Sequence, residues 1–204
     1  MQLEARLADF CPFVRVLLGG GRIGFLGFMD ASPPVTVPRL QTQRLLLREY
    51  RVEDFEAFAA HLADPESTAF LGSADRQTAW RVFGCHAGLW LLYGAGWWSV
   101  EVRETGQLVG HVGAFFRESL SGLEIGWNTY RAFWGQGFAG EAAAEAVRHA
   151  LEVRREPQVR AFIDPRNAPS IRVALRLGMR HEAETLLYGK PVGRYTLEQR
   201  PSAP

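Results

Sequence analysis

The sequence predicts one α/β (α+β) domain in which strands and helices share a mixed sheet, and three stretches carry that expectation. Leu123 to Asn128 reads as a strand, with β-branched Ile125 and aromatic Trp127, and it feeds a small-residue turn and an alanine-rich helix beginning near Phe138. Trp97 to Arg103 and Gln107 to Phe116 read as two strands joined by the tight turn Glu104-Thr105-Gly106. Met179 to Tyr188 and Val192 to Glu198 read as a closing hairpin. At 204 residues, 47% hydrophobic and 22% charged, the chain has the size and balance of a single globular domain.

The other elements follow in chain order. Residues 1–38 read as an extension outside the fold, with Met29-Asp30-Ala31 as an alternative start; 39–200 read as the domain and 201–204 as a loose tail. Gly19 to Gly24 satisfies G-x-G-x-x-G, but Pro33, Pro34 and Pro38 follow where a dinucleotide fold needs a helix. Arg44 to Tyr50 reads as the first strand of the domain. Glu53 to Ala63 is an amphipathic helix with Phe55, Phe58, Ala59 and Leu62 at i, i+3, i+4 and i+7; Glu53 and Asp54 suit its positive end, and Asp64-Pro65 stops it. Asp75 to Tyr93 is a second helix, carrying Trp80, Phe83 and Trp90. Val159 to Ile163 is a strand, after which Asn167 caps a helix that ends at Gly178.

The chemistry is concentrated in the turn Trp134-Gly135-Gln136-Gly137-Phe138-Ala139. Its two glycines and alanine let backbone N–H groups approach a ligand closely. The helix that follows adds free N–H donors and the positive end of its dipole, which makes an anion site suited to phosphate or pyrophosphate. A formal net charge of +1 argues against nucleic acid, and no apolar run approaches the ~18 residues of a membrane span. Cys11 and Cys85 sit in no metal-type spacing, so a reduced, cytoplasmic protein is expected. His61, His86, His111, His149 and His181 show no paired spacing, so neither a metal nor a Cys/His nucleophile is expected. There is no G-x-S-x-G and no Walker lysine.

WGQGFAGEA, preceded by EIGW and followed by DPRNAPSIRVALRLGM, resembles the GNAT (GCN5-related N-acetyltransferase) family, and within it the RimJ/RimL-like branch that acts on ribosomal-protein N-termini. The resemblance covers roughly Leu40 to Leu197. It implies the GNAT acyl-CoA fold, a mixed and mostly antiparallel central sheet flanked by about four helices. It also implies acetyl-CoA as co-substrate, no metal, and direct transfer to a primary amine. The acceptor would be a protein N-terminus or a small molecule, and the protein a monomer or homodimer. In the family pattern Gln/Arg-x-x-Gly-x-Gly/Ala, Gly137 and Ala139 fill the small positions and Trp134 stands in the first.

The same resemblance assigns roles residue by residue. Trp134, Gly135, Gln136, Gly137, Phe138 and Ala139 would cradle the pyrophosphate. Trp127, Asn128 and Thr129, on a strand splayed from Val159 to Ile163, would bond the pantetheine arm. Asn167 would meet the same arm, a plain N-cap being the alternative. Glu124 would serve as general base, directly or through water, or else be a salt-bridged carboxylate. Ser170 would bond the departing thiolate, because the position of the wider family's tyrosine holds Ala174. Gly140 stands where close relatives often carry Thr or Ser. The helices 53–63 and 75–93 would wall the acceptor pocket or simply pack the core. A reading from a different class is a CoA-binding module that has lost catalysis.

Overall fold

In a computed structural model of the chain the described residues are 35–118 and 121–199; Gly19 to Gly24 and Met29 lie outside them. The strands are β1 (Leu40–Gln41), β2 (Leu45–Arg48), β3 (Gly96–Val102), β4 (Leu108–Phe116), β5 (Leu123–Thr129), β6 (Gln158–Ile163), β7 (Arg180–Leu187) and β8 (Lys190–Glu198). The helices are α1 (Phe55–Ala63), α2 (Arg76–Tyr93), α3 (Phe138–Arg148) and α4 (Ala168–Arg176). Among the described residues the strands form one sheet in the order β1-β2-β3-β4-β5-β6-β8-β7. Every neighbouring pair is antiparallel except β5–β6, which is parallel. A parallel pair needs a crossover, and α3 supplies it.

Period-two alternation divides the side chains between two layers. Val112, Ala114, Leu123, Ile125, Val159 and Ala161 join a core with Ala142, Ala143, Ala146 and Val147 of α3 and Ala174 of α4. Alanines on the buried stripe of α3 let that helix lie close to the sheet. On the other face of β4, His111 meets Phe58 of α1, and on β3 Trp97 stacks on His86 of α2. Phe55, Phe58, Leu62, Ala79 and Phe83 form a smaller core between those two helices. Before β1, Val37 packs against the main core and Pro38 O accepts from Trp98 Nε1 at 2.7 Å.

Local chemistry sets the boundaries. Asp75 caps α2 by accepting from Thr78 N–H at 2.7 Å, and Gly94 ends it at φ 59°. A 3₁₀ turn, Val52–Asp54, precedes α1, so the α-helix proper begins at Phe55 rather than Glu53. Asp54 is buried and bonded to Arg48 at 2.7 and 2.8 Å, to Ser99 Oγ at 2.7 Å and to Arg51 N–H at 3.0 Å. A buried carboxylate is tolerable when it is bonded this fully. A π-turn, His149–Val153, closes α3 and shifts the phase of its apolar stripe while Leu151 stays buried.

Candidate active site

The sheet opens between β5 and β6. Those strands pair only at Leu123↔Val159 and Glu124↔Arg160, then diverge. On its other side β5 stays paired with β4 as far as Gly110↔Thr129. Tyr130 N–H donates to Val109 O at 2.9 Å, so by alternation the backbone groups of Ile125, Trp127 and Thr129 face the side that β6 has left. Burial follows the opening: Leu123 to Ile125 are buried and Gly126 to Thr129 only half-buried. The carbonyl of Thr129 is already engaged, accepting from Trp134 Nε1 at 2.7 Å. The remaining edge is a strand edge exposed inside a sheet, able to bond an extended ligand.

The turn beyond β5 gives the notch a second part. A 3₁₀ turn, Arg131–Phe133, leads into the exposed residues Trp134 to Gly137, and α3 begins at Phe138. Gly135 and Gly137 have φ of 77° and 81°, a region that disfavours any side chain. Gly137 is also the N-cap, so among the described residues no capping side chain accepts from the first N–H groups of α3. A Cβ on Gly135 or Gly140 would meet nothing within 4 Å, so the outer surface of the turn is open. The acid in the first turn, Glu141, faces away from that surface and is bonded by Arg44 and Thr42. These features fit a diphosphate.

Asn167 and Ser170 lie just beyond the end of β6, across the notch from the end of β5. Asn167 Oδ1 accepts from Ser170 N–H at 3.1 Å, so it is the N-cap of α4, and both residues are half-buried. Ala174 is fully buried in the core.

Glu124 occupies the last position at which β5 pairs with β6 and is 7% exposed. Arg117 holds both its oxygens, Nε to Oε2 at 2.9 Å and Nη2 to Oε1 at 2.7 Å, and Arg117 Nη1 donates to Tyr188 Oη at 2.9 Å. Burial pushes the Glu124 carboxyl up from its usual value, and the Arg117 bonds pull it back without cancelling the rise. Tyr188 reaches Arg117 from the β7–β8 turn, where it and Gly189 both have positive φ. Beside this pair, the Trp97 ring lies over two glycines. A Cβ on Gly113 or Gly126 would stand 2.6 or 2.5 Å from it. Phe115 stacks on the same ring at 4.8 Å and His86 at 4.3 Å.

The fold gathers histidines that no sequence spacing relates. His61 of α1 and His86 of α2 lie 5.6 and 5.9 Å, ring to ring, from His111 of β4, with Tyr130 5.0 Å from His61. Tyr50 Oη and His86 Nδ1 are 3.1 Å apart. Burial holds His61 down at about 4, against the pull of Asp64. It holds His86 at about 3, with the Arg117 charge adding, and His111 well below 6.5, with the other two histidines adding. Both ring nitrogens of His61 and Nδ1 of His111 are buried and have no hydrogen-bond partner among the described residues. Among the described residues no group of three or more His, Cys, Asp or Glu is placed to hold a metal ion.

Arg44, Arg117 and the histidine cluster are the contributors that sequence reading missed. One had a usable signal: Phe115 pairs with Glu124 across the β4–β5 hairpin, which makes Arg117 a diagonal neighbour of Glu124 on one face.

Comparison with known proteins agrees with this geometry. The acetyltransferase (GNAT) domain family matches residues 44–180. The Bacillus subtilis (strain 168) protein YkkB is 34% identical over 105 residues, which cover 50% of this chain and 61% of YkkB. The uncharacterized N-acetyltransferase p20 of Bacillus licheniformis is 30% identical over 159 residues, covering 76% of this chain and 89% of p20. The crystal structure of the acetyltransferase from Agrobacterium tumefaciens str. C58 has a TM-score of 0.75 at 28% identity, covering 89% of this chain and 100% of that one. The splayed sheet, the uncapped turn and the family match over most of the chain lead to one conclusion: the protein is an acyltransferase belonging to the GNAT acetyltransferase family.

Proposed function

We propose that the protein is an N-acetyltransferase of the RimJ/RimL-like branch that moves an acetyl group from acetyl-CoA directly to a primary amine, on a protein N-terminus or a small molecule. The observation that carries this reading is the divergence of β5 from β6 beside an α3 N-terminus that no side chain caps. Bound acetyl-CoA supplies the acetyl group as a thioester. The amide groups from Gly135 to Ala139 hold its pyrophosphate, the Trp134 N–H being already bonded to Arg131 O. The open edge at Trp127 and Thr129, not Asn128, whose backbone is turned to β4, aligns the pantetheine arm with Asn167 opposite. A backbone N–H near Ile125 to Trp127 polarises the thioester oxygen, and donors of this kind are worth about 3–4 kcal/mol.

The nitrogen–carbon bond forms as the carbon–sulfur bond breaks. The amine proton passes to Glu124, directly or through water, and the thiolate is met by the Ser170 hydroxyl. A thiol of pKa ~8.5 needs no stronger acid than that. The raised Glu124 carboxyl suits a base, yet its bidentate ion pair favours a second reading, a CoA-binding module without catalysis. Titration with coenzyme A, together with turnover on a panel of peptide N-termini, amino acids and polyamines, separates the two. Turnover on at least one amine is expected; tight binding with none would favour the module, and no binding would overturn both.

A further inference from the structure

The turn assigned to phosphate is held from behind, and we propose that Arg44 is a positioning residue that presets it for the donor, an inference that rests on the acetyl-CoA reading above. Arg44 stands at the start of β2, 97 positions from its partner Glu141. Its Nε donates to Glu141 Oε2 at 2.7 Å and its own backbone N–H donates to Oε1 at 2.9 Å. Its Nη1 donates to the carbonyl of Gln136 at 3.0 Å. The guanidinium carbon lies 4.7 Å from the centre of the Phe138 ring, and Nη2 stands 3.4 Å from where a Cβ on Gly137 would be. One side chain therefore holds Gln136 and Phe138, on either side of Gly137.

Two consequences follow from elementary chemistry. In a trans peptide the carbonyl and the next N–H point in opposite directions. Holding the Gln136 carbonyl on Arg44 aims the Gly137 N–H at the open face, where the anion would lie. Left alone, a turn with two left-handed glycines would sample many conformations, and the entropy of fixing it would fall on the binding step. The second consequence is electrostatic. Glu141 is an anion in the first turn of the helix that receives the phosphates; Arg44 neutralises it, and with the Thr42 hydroxyl, which donates to Oε1, draws it off the open side.

The test is binding of coenzyme A and of pantetheine, the same arm without phosphates, by NMR titration of the full chain and of Arg44→Met. Coenzyme A affinity should fall about ten-fold or more, with pantetheine affinity changed far less, as expected for misplaced but intact contacts. Equal losses for both ligands would overturn the proposal, since that is what a merely structural role predicts. A wild-type protein that binds both equally would instead remove the phosphate reading and the proposal with it. Should Arg44→Met not fold, Arg44→Lys keeps the charge but cannot reach Glu141 and Gln136 together; the ratio of the two affinities again decides.

Discussion

Single residues carry the sharpest demands of this fold. Gly126 lacks a side chain because the Trp97 ring occupies the space, so Gly126→Ala must move a ring wedged between Phe115 and His86. Overpacking of this kind costs about 1–3 kcal/mol, read as a lower midpoint in urea or heat unfolding. Glu124→Gln keeps an acceptor for Arg117 but cannot take a proton. Turnover should fall by about 10²–10⁴-fold if Glu124 is the general base. The loss should be greatest below about pH 8, where an α-amine acceptor is still protonated, with coenzyme A affinity nearly intact. A rate–pH profile identical to wild type would leave Glu124 as half of an ion pair and nothing more. Some residues were legible at this scale from sequence, because local chemistry alone decides them: Asn167 as the cap of α4 and Gly178 as the left-handed residue just past its end. Asp54 does stand at the N-terminal end of α1, but its burial was not legible, because it depends on Arg48 and Ser99 arriving from the sheet.

At the scale of elements, α1 and α2 meet the sheet through His61, His86 and His111, and this contact makes them acid-sensitive. Each histidine has a folded pKa below the ordinary 6.5, so the folded state binds fewer protons than the unfolded one. Above about pH 7.5 all three are neutral in both states and exact no penalty. As pH falls toward the folded values near 4 and 3 for His61 and His86, each removes up to about 1.4 kcal/mol of stability per pH unit. The groups facing the cluster are Tyr50, Asp54, Asp64, Arg117 and Tyr130; the carboxylates with lowered pKa, Asp54 and Asp64, contribute their own loss only at more acidic pH. Stability measured between pH 7 and 5 should therefore drop, and His61→Leu should flatten the slope; an unchanged slope would contradict the assignment. No sequence spacing announced this cluster, since its members sit on three elements brought together only by tertiary packing. The helices and the longer strands were legible, because amphipathic period and turn residues are local signals; β1, two residues long and ahead of the stretch Arg44 to Tyr50 read as the first strand, was not. The π-turn after α3 was not, as nothing local distinguishes Val147 to Leu151 from a continuing helix.

For the whole molecule, the decisive feature is a parallel strand pair that separates after two residue pairs. An otherwise antiparallel sheet gains an internal edge by this device, and α3, crossing between the diverging strands, starts at the mouth of the opening with its N–H groups free. The small-residue turn marked this corner in the sequence, whereas the Arg44–Glu141 brace did not, its halves being 97 positions apart. Hydrogen–deuterium exchange with and without acetyl-CoA tests the central claim directly. The account predicts slowed exchange confined to Ile125 to Thr129 and Gly135 to Gly140, the open edge and the uncapped turn. Protection elsewhere, with those two segments exchanging as fast as in the free protein, would contradict it.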